Sequence, residues 1–67
     1  MPPLKRMAKR IARLRNERGW SQVQLAARAG ITRPYLARLE LGLQDPRASV
    51  LLRISRALRV KVSDLLE

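Results

Sequence analysis

Residues 21–43, SQVQLAARAGITRPYLARLELGL, decide the fold. Ser21 and Gln24 have the S-x-x-Q spacing of a capping box, and Trp20 and Leu25 stand at the two ends of a hydrophobic staple. A helix therefore starts at Ser21 and is expected to run to about Ala29, with Leu25, Ala26 and Ala29 turned inward. Gly30 ends it, because glycine takes the left-handed conformation that closes a helix without strain. Thr32 then serves as the N-cap of a second helix, and Ile31 and Leu36 repeat the staple spacing. Pro34 favours the first helical position and restricts the residue before it, so it is either the first or the second residue of this helix. Leu36 and Leu39 form its buried side. Arg33, Pro34, Ala37 and Arg38 project together into solvent. Two arginines separated by small or rigid residues suit the groove of a nucleic acid.

Towards the N-terminus, Leu4, Met7, Ile11 and Leu14 fall at i, i+3, i+7 and i+10, the stripe of an amphipathic helix over residues 4–18, closed by Gly19. Its outer face carries Lys5, Arg6, Lys9, Arg10 and Arg13. Such a face can also lie on an anionic membrane, but the stripe is narrow and the following helices need a surface to pack on. Met1-Pro2-Pro3 reads as a non-helical, flexible tail; with Leu4, Lys5 and Arg6 it has an alternative reading as a basic arm along DNA.

Towards the C-terminus, Gly42 and Pro46 mark a loop. Residues 47–58 form a fourth helix, with Leu51, Ile54 and Leu58 on one face and Asp45 as the cap of Pro46 at its start. Residues 60–67 give a last short apolar turn of helix, with Val60, Val62, Leu65 and Leu66 available to close the core. The expected fold is all-α, five helices in one domain over residues 1–67.

Composition narrows the function. Fifteen Lys and Arg against five acids leave a net charge of +10, and twelve of the fifteen are arginine, the residue suited to bidentate contacts with phosphates and guanines. With no Cys and no His, a disulfide framework and the usual zinc sites are excluded, and no cofactor is expected. No nucleophile–base arrangement supports an enzyme. The longest apolar run is three residues, Val50-Leu51-Leu52, far short of a spanning helix, so the expected location is cytoplasmic.

Gln22, Ala26, Gly30, Leu36 and Leu39 are spaced as in the helix-turn-helix of the lambda-type phage repressor and Cro family. The downstream run Leu39-Glu40-Leu41-Gly42, Pro46, residues 51–58 and Leu65-Leu66 also resembles that family. The resemblance covers about Met7 to Leu66. It implies a five-helix domain whose second and third helices read double-stranded DNA, the third lying in the major groove. By position it assigns Arg33, Pro34, Ala37 and Arg38 to bases, and Gln22, the loop from Gly42 to Gln44, and Arg47 to phosphates; Thr32 and Tyr35 are further phosphate candidates. Tyr35 also reads as a packing residue over the joint between the helices. Arg15 and Glu40 align with a structural ion pair.

There are departures from the family pattern. Pro34 replaces a hydrogen-bonding side chain and offers only apolar contact. Leu41 and Leu43 stand where phosphate contacts are usual, which leaves that role to the loop's backbone amides. Arg59 replaces a helix-ending glycine, and Arg47 and Lys61 replace capping serines, so the last two helices are expected to begin loosely.

The implied function is a transcriptional regulator, a repressor or autoregulator binding a palindromic operator as a weak homodimer. Val60, Val62 and Leu66 are the candidate dimer surface. The alternative is a DNA-binding antitoxin, or an accessory module with a protein partner in a toxin or restriction–modification operon, which the exposed Leu41 and Leu43 would suit.

Overall fold

Five helices follow one another in the computed structural model, which describes residues 3–66: α1 (Pro3–Glu17), α2 (Gln22–Ala29), α3 (Arg33–Glu40), α4 (Ala48–Leu58) and α5 (Val62–Leu66). Among the described residues there is no strand. Helix α2 packs against α3 and α4, α1 against α3 and α5, and α4 against α5. The stripes of all five helices meet in one core. Met7 and Ile11 of α1, Leu25 and Ala29 of α2, Leu36 and Leu39 of α3, Ile54 and Leu58 of α4, and Leu65 of α5 are buried there.

The capping box at Ser21 is complete. The Ser21 hydroxyl accepts from the Gln24 amide at 3.1 Å, and the Gln24 side chain accepts from the Ser21 amide at 2.8 Å. With Trp20 packed against the core, this fixes how the chain enters α2. Helices α1 to α4 all end in the same hydrogen-bond pattern. A residue two or three past the helix end donates back to the carbonyl five residues earlier: Trp20 to Arg15, Ile31 to Ala26, Leu43 to Arg38 and Val60 to Ser55. Each such turn needs one left-handed residue. Three of them use glycine, and the fourth uses Arg59, at φ 58° and ψ 45°.

A side chain in that conformation costs roughly 1 kcal/mol relative to glycine. Arg59→Gly is therefore expected to stabilise the domain by about that amount, raising the melting temperature by roughly 4–8 °C. An unchanged or lowered midpoint in thermal denaturation would mean that the arginine side chain compensates for its own backbone.

Three boundaries differ from those read in the sequence. Pro3 belongs to α1 rather than to a non-helical tail; proline's fixed φ and missing N–H suit the first helical position. Met1 and Pro2 of that tail, and Glu67, lie outside the described residues. Helix α4 starts at Ala48, with Arg47 and not Asp45 as its N-cap residue. Pro46 is buried ahead of the helix, and the Arg47 carbonyl accepts from the α4 amides of Val50 and Leu51. Because arginine offers no acceptor, α4 has no side-chain cap, as the missing serine led us to expect. Helix α5 starts at Val62 rather than at Val60, and this start is better held than expected: Asp64 reaches back to accept from the Lys61 amide at 2.9 Å, supplying half a capping box. Finally, Leu65 is fully buried whereas Leu66 remains 56% exposed, so only the first of the two closes the core.

Candidate nucleic-acid interface

Thr32 caps α3 through its hydroxyl, which accepts from the Tyr35 amide at 3.3 Å. The helix starts at Arg33, which makes Pro34 its second residue. Leu36 and Leu39 point into the core, and that rotation leaves Arg33, Pro34 and Arg38 exposed, with Ala37 half-buried between them. The four residues assigned to bases thus share the outer side of α3, and Leu41, 66% exposed, continues the same stripe one turn further.

Four of the six residues assigned to phosphates come together next to it. Thr32, Tyr35, Gln44 and Arg47 line a groove of about 460 Å³ between the start of α3 and the start of α4, floored by Ile31 and Val50. Asp45 is the one acid on its rim. Gln44 also reaches the outer side of α3: its side-chain carbonyl oxygen accepts from Arg38 Nε at 3.4 Å.

The other two are placed differently. The Gln22 side chain is turned onto Glu40, donating from Nε2 to Oε1 at 3.1 Å. Gly42 faces α1, where a Cβ would stand 3.0 Å from Lys5 Cγ. The loop amides expected to hold a phosphate are also engaged in closing α3. Leu41 donates to Ala37 and Arg38, Gly42 to Leu39 at 3.0 Å, and Leu43 to Arg38 at 3.0 Å. These three amides reach a phosphate only if the turn opens.

Helix α3 is braced from behind by a bidentate ion pair. Arg15 donates from Nε to Glu40 Oε2 at 2.7 Å and from Nη2 to Oε1 at 2.9 Å, while Nη1 holds the Trp20 carbonyl at 2.8 Å. The side chains are only 13% and 6% exposed. The hydrogen bond to Glu40 is the main cause that raises the Arg15 pKa; burial opposes it and the carboxylate's charge adds to it. One carboxylate thereby ties the end of α3 to α1, to the α1–α2 joint and, through Gln22, to the start of α2. The pairing of Arg15 with Glu40 was legible from the resemblance, but the inclusion of Gln22 and Trp20 was not. Nor was the stacking of Arg28 over the Trp20 ring, 4.3 Å from its centroid, which covers the staple from outside.

A helix-turn-helix family model matches residues 11–65. The chain belongs to the helix-turn-helix family. The resemblance to phage repressors holds as well: the immunity repressor protein of Bacillus phage phi105 is 40% identical over 57 residues, which are 85% of this chain and 40% of that protein. An uncharacterized HTH-type transcriptional regulator of Mycobacterium tuberculosis is 49% identical over 45 residues, 67% of this chain. This helix-turn-helix chain spans about a third of that relative's length, 32%. Among solved structures, the master regulator for biofilm formation SinR in complex with DNA superposes with a TM-score of 0.87 at 37% identity, over 91% of this chain and 98% of that one. No described helix is long and apolar enough to cross a membrane.

Proposed function

We propose that this protein is a sequence-specific transcriptional regulator, a repressor or autoregulator that binds a palindromic operator as a homodimer, with α3 in the major groove. The observation that carries the reading is the outer side of α3. Arg33, Pro34, Ala37 and Arg38 sit together beside a groove lined by Thr32, Tyr35, Gln44 and Arg47. Base edges and phosphates are adjacent in DNA, and these two sets of side chains are adjacent in the same sense. The relation to a phage immunity repressor and to SinR, a regulator solved on DNA, favours the same reading.

A single domain of this size makes few contacts, and a second copy on a second half-site multiplies them. Leu66 is 56% exposed beside the half-buried Val60 and Val62, an apolar end suited to meeting its own copy. Selection of bound sequences from a random duplex pool tests this. A palindrome with half-sites about one helical turn apart, roughly 34 Å, is expected. Enriched sequences without two-fold symmetry would rule out the dimeric operator complex.

A second reading, a DNA-binding antitoxin or accessory module that also holds a protein partner, draws on Leu41 and Leu43. They are 66% and 71% exposed at the end of α3, more apolar surface than a phosphate contact uses. A stoichiometric partner co-purifying with the wild type and lost from a Leu41→Ser, Leu43→Ser variant would favour it.

A further inference from the structure

We infer that Lys5 and Lys9 of α1 form a second phosphate-binding patch, which carries the DNA interface past the end of α3 and onto α1. This rests on the proposal that α3 faces DNA. The outer stripe of α3 runs from Pro34 through Ala37 and Arg38 to Leu41. Leu41 in turn lines an open cleft whose other wall is Lys5, Ala8 and Lys9 of α1, with Glu40 at its base. Lys5 is held there by the turn after α3. A Cβ on Gly42 would lie 3.0 Å from Lys5 Cγ and 3.4 Å from its Cα, so glycine lets the turn close onto the lysine. A nucleic-acid strand that leaves Arg38 along α3 therefore meets two exposed ammonium groups next.

The charges on α1 make poor sense as a merely solvated face. The helix has no acid in its first turn. Lys5 stands there instead, at the end where the helix dipole repels a cation. Glu17, the one acid on the helix, pairs with Arg13 at 3.9 Å, so it does not serve either lysine. An arrangement unfavourable to the free domain becomes favourable once a phosphate sits between the lysines and the helix start. The carboxylate at the cleft base does not oppose this, because Glu40 is already bound by Arg15 and Gln22.

The test is the double variant Lys5→Gln, Lys9→Gln; glutamine keeps the aliphatic stem that packs on Gly42. The control is Arg6→Gln, Arg10→Gln, which removes the same charge from side chains roughly 100° further round the helix. Binding to a mixed-sequence duplex several helical turns long is measured across a salt series. The lysine variant is expected to lose about 1.8 from the magnitude of the slope of log K against log salt, about 0.9 for each phosphate contact. Near 0.1 M salt the same term weakens binding by roughly fivefold to tenfold per lysine. The arginine control should retain most of the wild-type slope, and the melting temperature of the lysine variant should not fall. Equal slopes for the lysine variant and the wild type would overturn the patch, as would equal losses in lysine and arginine variants, which would reduce the effect to net charge. A wild-type protein that binds no duplex at any salt would instead overturn the DNA reading of α3 itself.

Discussion

Replacing Glu40 with glutamine is expected to destabilise the domain by about 3 kcal/mol, because breaking a buried pair by removing one charge strands the other. The figure sits at the lower end of the range for such pairs, since the Arg15 side chain keeps 13% of its exposure. For a chain of this length the whole stability is on the order of 3–10 kcal/mol, so a single atom exchange removes a large part of it. The melting temperature should fall by well over 10 °C, at roughly 4–8 °C per kcal/mol. Replacing both partners, Arg15→Met with Glu40→Leu, should cost much less than the single change, because no charge is then left buried. Denaturation midpoints of Arg15→Met, Glu40→Leu and the double variant close a cycle, and additive single effects would refute the pair. The sign with pH is definite. A pKa raised in the folded state gives stability that is complete below arginine's ordinary value and lost only as pH rises through the raised one. The Arg15 side of the pair therefore contributes unchanged through the neutral range.

The same pair explains what the sequence can and cannot disclose. Helix starts are local: Ser21 with Gln24, and Thr32 with Tyr35, close within four residues, and both sites are capped as their spacing implies. Helix ends are nearly as local, and even Arg59 takes the left-handed conformation expected of its position. Asp45 and Pro46 misled because a proline after an acid is a sound local start signal, yet burial of Pro46 draws it out of the helix. What escapes a linear reading is contact between separate helices. Gln22 and Glu40 lie 18 residues apart, and nothing in the local spacing of either points to the other. Lys5 and Gly42 give no mutual signal at all, since the requirement at Gly42 is both a φ of +75° and a close neighbour on another helix. The outer side of α3 was legible because the burial of Leu36 and Leu39 fixes its opposite. The groove beside it was not, since it forms only when the loop after α3 brings Gln44 and Arg47 against Thr32 and Tyr35.

Arg38→Ala is expected to weaken operator binding by about 1–3 kcal/mol, a factor of roughly 5 to 150, and to relax the preference at one base pair. Arg38 is exposed on the outer side of α3, and its guanidinium is steadied by Gln44 at 3.4 Å. That bond uses Nε and not the two terminal nitrogens, the fork that matches O6 and N7 of a guanine. Arg38→Lys should therefore recover charge but little specificity, since an ammonium cannot make the paired contact. Gln44→Ala removes only the steadying bond, which is long and exposed, and should weaken binding far less than Arg38→Ala. The competing role is a phosphate contact, and it leaves a different signature. Loss of a phosphate contact lowers affinity for every duplex alike and reduces the salt slope by about 0.9, with the base preference intact. Binding of the Arg38→Ala variant to the selected operator and to single-base variants of it, each over a salt series, separates the two roles. A uniform loss across all these duplexes would move Arg38 from the bases to the backbone and leave Arg33 as the remaining charged reader on α3.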